Sequence, residues 1–262
     1  MNHKTLNPEI LQLLTKIDRA IIRGNHPLVV ELCSRLITDP GFQHMEKDAI
    51  AASYLNRGFS RRRLGDLSGA LEDARQAALY NPRSFKPHLN AGLIYAQDLQ
   101  DYEKGLEEFD LALSLNPTSV EILSSRGLTK ELIGDYTGAE TDLQAALSIN
   151  PNDANALCNL GNLQLKRGRV SEAANSYQKA LTANPKDYEI RMNLVLALER
   201  MGAQRAAAEV LRGDRKAVKL WKSKGGYPIG QANRGWQLVL LILLVVGILV
   251  LLWFIKINMK TQ

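Results

Sequence analysis

Between residues 48 and 211 the chain repeats one arrangement: apolar side chains at spacings of three and four, in short stretches interrupted by glycine or closed by proline. Those spacings place side chains on one stripe of an α-helix, so each stretch predicts a helix with one face to bury. The interruptions are of two kinds. Gly65-Asp66, Gly134-Asp135 and Gly168 fall within units, where glycine permits a tight turn. Asn81-Pro82, Asn116-Pro117, Asn150-Pro151 and Asn184-Pro185 close units, because proline cannot continue a helix. The pattern therefore predicts two short antiparallel helices per unit. One pair cannot cover both its faces, so neighbouring units must stack. The predicted body is an all-α helix-hairpin solenoid.

The period is explicit. The closing prolines are spaced 35, 34 and 34 residues apart. Ala77, Ala112, Ala146 and Ala180 stand five residues before them, and Ala70, Gly105, Ala139 and Ala173 seven residues earlier still. Gly58, Gly92, Gly127 and Gly161 recur in the first helix of each unit. These small residues let paired helices approach closely. The second unit carries one extra residue around positions 97–101, where a turn glycine is absent; that loop either protrudes or absorbs the insertion. Residues 41–48 lengthen the link to an earlier helix pair, residues 9–40, which turns at Gly24-Asn25.

Beyond the array the pattern changes. Residues 236–255 form a twenty-residue run whose one polar member is Gln237. As a helix it would be roughly 30 Å long, the thickness of a bilayer's hydrocarbon core. Trp236 and Trp253 lie near its ends, where indole rings favour the interface. One C-terminal transmembrane helix is predicted. Gly247 stands without a GxxxG partner, so nothing argues for dimerisation in the membrane. The organisation that follows is an N-terminal helical hairpin over 1–47, an array over 48–211, a basic segment and glycine-rich hinge over 212–235, the span over 236–255 and a short tail over 256–262.

Charge sharpens this picture. The formal net charge is +6, but residues 212–262 hold nine Lys/Arg against Asp214 alone. The first 211 residues carry 24 basic and 26 acidic side chains, so the body is nearly neutral. A nucleic-acid-binding body should carry its own basic face, so no nucleic acid is expected as partner. The basic collar suits an anionic membrane surface, with Arg212, Arg215, Lys216, Lys219, Lys222 and Lys224 as the candidate contacts. More Lys/Arg precede the span than follow it, which predicts a single-pass membrane protein with its N-terminal body cytoplasmic. Two cysteines, Cys33 and Cys158, are too few for a disulfide framework and suit a reducing compartment.

The segment 154–185, ANALCNLGNLQLKRGRVSEAANSYQKALTANP, resembles a tetratricopeptide repeat. Leu157, Leu160, Gly161, Gly168, Ala173, Tyr177, Ala180 and Pro185 hold the signature positions. Units beginning near Ala51, Phe85 and Val120 match as well, and the unit from Tyr188 keeps Leu194, Gly202, Ala207 and Leu211 without a closing proline. That last unit is expected to cap the array, its second helix running into the basic stretch. The chain as a whole resembles a tail-anchored tetratricopeptide protein.

The resemblance implies a concave groove lined by the first helix of each unit. It places Asn56, Asn90, Ser125, Asn159 and Asn193 there, with Asn162 one helical turn from Asn159. Asparagine offers a donor and an acceptor, so a ladder of them can hold the backbone of an extended peptide. Co-chaperone arrays of this family carry a two-carboxylate clamp of Lys and Asn, then Lys and Arg, each pair four apart. Here those places hold Leu55, Phe59, Glu121 and Ser125, or in the other register Lys86, Asn90, Asn155 and Asn159, so the clamp is incomplete. Arg61-Arg62-Arg63 and the acidic run Glu103, Glu107, Glu108 and Asp110 are read as solvated helix faces.

Catalytic groups are missing by inventory. His3, His26, His44 and His88 are scattered, with no HExxH, no Cys/His cluster, no phosphate loop and no GxSxG. No catalytic residue, metal or cofactor is expected. The resulting expectation is a membrane-anchored scaffold or adaptor for proteins or extended peptides. A receptor for targeting or import peptides on an organelle membrane is the alternative, and co-chaperone docking is a weaker third.

Overall fold

A computed structural model describes residues 8–212 and residue 219. Among them the fold is all-α, with twelve α-helices and no strand. The predicted span 236–255 lies outside the described residues. No helix within them is long and apolar enough to cross a membrane.

The chain divides into two compact units, with the boundary inside one helix between Leu163 and Gln164. The first unit opens with the hairpin α1 (Pro8–Ile22) and α2 (His26–Thr38), followed by a 3-10 turn (Phe42–His44). Three further pairs follow: α3 (Lys47–Arg63) with α4 (Leu67–Tyr80), α5 (Lys86–Leu93) with α6 (Tyr102–Leu115), and α7 (Val120–Leu132) with α8 (Tyr136–Ile149). Helix α9 (Ala154–Lys166) contributes its part up to Leu163. The second unit holds the end of α9, then α10 (Val170–Ala183), α11 (Tyr188–Arg200) and α12 (Gln204–Leu211).

Turn chemistry sets the hairpins. Gly24, Gly65, Gly134, Gly168 and Gly202 all have positive φ, between 64° and 88°, a region that side-chain-bearing residues enter at a cost. The following aspartates cap the second helices: the Asp66 carboxylate accepts from the Gly69 amide at 2.9 Å, and Asp135 from Gly138 at 2.9 Å. Asp101 does the same for Lys104 at 3.2 Å.

The extra residue of the second unit is absorbed, not extruded. Residues Ile94–Asp98 form a π-helical turn at the end of α5, with the Leu99 amide donating to the Ile94 carbonyl five residues back. In the neighbouring pairs the Asp66 and Asp135 amides reach back five residues, to Arg61 and Lys130; the Asp101 amide reaches back six, to Tyr95. Gln100 takes the left-handed turn position, φ +57°, that glycine fills elsewhere.

The paired helices meet at the small residues. Ala70, Ala77, Ala112, Ala139, Ala146, Ala173 and Ala180 are buried. A methyl group on Gly127 would meet Leu143 Cγ at 3.0 Å and the Ala139 carbonyl at 3.3 Å, and one on Gly92 would meet the Phe109 ring at 2.7 Å. The N-terminal hairpin shares a core with α3: Ile10, Ile17, Val29, Leu32 and Leu36 pack with Phe42, Met45 and Ile50. In the second unit Met192, Val195, Ala207 and Leu211 form the core of the last pair, with Leu198 and Val210 against it.

Three sequence readings need correction. The Arg61-Arg62-Arg63 run is not a solvated face. Arg61 bonds Asp73 at 3.0 Å, and Arg62 reaches the π turn, pairing with Asp98 and donating to Gln97 at 2.9 Å. Only Arg63 of the three is exposed. The acidic run is likewise split, since Glu108 pairs with His88 at 2.8 Å and Asp110 with Arg126 at 2.6 Å. Helix α12 ends at Leu211, and Arg212 turns out of helical geometry, so the helix does not carry on through the start of the basic stretch.

Candidate peptide-docking site

The first helices of successive pairs are α3, α5, α7, α9 and α11, and the candidate side chains recur at one place on each. Asn56, Asn90, Ser125 and Asn159 are half-buried. Among the described residues, the side chains of all four lack a hydrogen-bond partner. Being open to solvent, these groups are free to exchange water for the donors and acceptors of a ligand. Asn162, also half-buried, has a partner already, as has Asn193 of α11 in the second unit.

Ser125 and Asn159 come together in the first unit. They line a cavity of about 470 Å³ with Gln97, Val120, Glu121, Ser124, Leu128, Asp153 and Asn155. Glu121, Ser124, Ser125 and Leu128 follow the helical spacing of three and four and so present one face of α7. Asn155 and Asn159 stand four apart on α9, and Asp153 caps that helix, accepting from the Ala156 amide at 2.8 Å. Gln97 enters from the π turn, its carbonyl held by Arg62. Asn56 and Asn90 are outside this lining, on α3 and α5.

Sequence reasoning missed Ser124. It is 5% exposed, and its hydroxyl is buried without a hydrogen bond. The signal was available: the corresponding positions of the other units hold Leu55, Leu89, Cys158 and Met192, so a serine there breaks the apolar series.

The six basic candidates at the membrane end fare differently. Arg212 and Lys219 are exposed. Arg215, Lys216, Lys222 and Lys224 lie outside the described residues. No group of three or more potential metal ligands is found among the described residues.

Family comparison agrees with this architecture. Tetratricopeptide repeat models match residues 55–120 and 154–187, and a TPR repeat model matches 132–168. These segments are tetratricopeptide repeats, and the described residues form an all-α solenoid of them. Its backbone is similar to that of PilW, a widely conserved type IV pilus biogenesis factor, at 18% identity, TM-score 0.68, covering 82% of this chain and 98% of the other. It is similar to a thermophilic TPR protein of Thermus thermophilus at 22% identity and TM-score 0.59, covering 72% and 99%. MamA from Desulfovibrio magneticus is similar at 25% identity and TM-score 0.53, covering 66% and 96%. No curated protein matches the chain in sequence.

Proposed function

We propose that the chain is a docking scaffold that holds an extended segment of a partner protein along the first helices of its repeats. The supporting observation is the set of half-buried side chains of Asn56, Asn90, Ser125 and Asn159, which lack partners among the described residues although they stand at equivalent places on successive helices. An extended segment has backbone amides and carbonyls to offer at regular intervals, and side-chain amides can bond both. Ser125 and Asn159 already share one cavity.

The reading includes attachment of this scaffold to a membrane by residues 236–255, with the repeats on the cytoplasmic side and the basic collar at anionic headgroups. Its support is the length and apolarity of that run and the excess of Lys/Arg before it. Alkaline extraction of membranes from expressing cells tests the anchor. The full chain should stay with the membrane pellet and a chain ending at Lys224 should be released; release of both would remove the anchor.

Docking is tested with the full chain in detergent and a pool of randomised extended peptides. Replacing Asn56, Asn90, Ser125 and Asn159 by alanine together should abolish retention of the pool while the helical circular dichroism stays unchanged. Unchanged retention would exclude the asparagine ladder.

A further inference from the structure

The α7/α9 cavity has a sign. Of its nine lining residues two are carboxylates, Glu121 and Asp153, and none is Lys, Arg or His. The Asp153 carboxylate uses one oxygen to cap α9 and accepts no other hydrogen bond among the described residues. Glu121 is exposed at the rim. Arg62, which bonds the side-chain oxygen of the lining Gln97, is also paired with Asp98. Ser125, Asn155 and Asn159 line the same cavity and offer oxygen acceptors as well as donors.

The cavity also has a cause. Position 124 is apolar in every other unit, as Leu55, Leu89, Cys158 and Met192, and a leucine there would fill space that serine leaves open. The serine hydroxyl is buried and lacks a partner. Such a group costs stability when nothing bonds it, and this serine is among the residues that line the cavity. A volume of about 470 Å³ falls within the roughly 300–1,000 Å³ usual for ligand pockets.

We propose that this cavity receives a lysine or arginine side chain of the docked segment. Glu121 and Asp153 supply the countercharge, and Ser124, Ser125 and Asn159 take its N–H donors. Partners would then be sorted by a basic residue, the opposite sign from a clamp for acidic chain ends. The proposal rests on the docking reading and adds its specificity.

The test uses the full chain in detergent with four pools of extended peptides. Each pool has randomised flanks and one fixed central residue: Lys, Arg, Gln or Glu. Retention should favour Lys and Arg over Glu by roughly tenfold, the scale of one desolvated charge pair. Glu121→Lys, an exposed substitution that should leave folding unaffected, should erase or reverse that preference. Ser124→Leu should lower retention of the basic pools to the level of the neutral one while raising or maintaining the unfolding temperature. Equal retention of all four pools, or preference for Glu, would overturn the charge assignment and leave docking intact. Absence of retention of any pool would overturn both. Persistence of the Lys/Arg preference in both variants would place the basic side chain elsewhere and overturn the assignment to this cavity.

Discussion

Lys130 of α7 reaches the buried carboxylate of Asp142 of α8 at 2.9 Å, and the positions one repeat later hold Gln164 and Ser176, joined at 2.8 Å. The same crossing is Arg61 with Asp73 two repeats earlier, at 3.0 Å, and Leu198 with Val210 in the last pair, where both pack on the apolar core. One geometric problem, two helices meeting near their shared turn, is solved by an ion pair, a neutral hydrogen bond and an apolar contact. Asp73 is fully buried and Asp142 is 3% exposed, so their charges depend on the paired cations. Arg57 bonds Asp73 at 2.6 Å and also Ser34 of the preceding hairpin, as Arg126 bonds both Asp142 and Asp110. The ion pairs thus also tie neighbouring hairpins together.

Removing one partner from such a pair leaves the others uncompensated. Asp142→Ser alone should therefore cost about 3 kcal/mol, because Lys130 and Arg126 lose their buried counterion. Adding Lys130→Gln recreates the chain's own Gln164–Ser176 solution and should recover part of that loss. Denaturant unfolding of the three chains checks this. A double variant less stable than Asp142→Ser would show that the crossing does not interchange between polar solutions.

Turn position gives a prediction of opposite signs. Gln100 occupies the left-handed conformation that glycine occupies at Gly134. Gln100→Gly should stabilise by about 0.5–1 kcal/mol, and Gly134→Ala should destabilise by about 1 kcal/mol or more, since the native φ is positive at both. Thermal unfolding followed by circular dichroism measures both.

Burial pushes the Cys33 thiol up to about 12, with the Arg57 charge opposing the shift and Asp73 adding to it. The reactive thiolate is therefore scarce at mildly alkaline pH, and the side chain is fully buried. Cys33 should resist a thiol-specific reagent in the folded chain and react once urea unfolds it. Half-buried Cys158 should react sooner. Mass spectrometry of the labelled peptides distinguishes the two.

Much of the fold was legible because it repeats. Glycines with positive φ, alanines at the helix contact and closing prolines each serve a backbone requirement, and such requirements show as residue type at fixed spacing. The insertion at 97–101 could be seen but not placed, since a π turn and a protruding loop have the same sequence length. The arginine run was misread because Arg61 and Arg62 find their carboxylates 12 and 36 residues away, beyond any helical spacing. In the candidate site, Ser125 and Asn159 were legible from register. Ser124 showed in the sequence only as a break in an apolar series; that its hydroxyl is buried without a partner took the structure to see.

The central claim is that a partner segment lies on first helices and not on second ones. A benzoylphenylalanine crosslinker in place of Asn155, at the exposed rim of the α9 cavity, tests it against the same group at exposed Thr141 of α8. With the randomised peptide pool, illumination should give peptide adducts at position 155 far in excess of those at 141. Equal labelling at the two positions, or more at 141, would contradict the account.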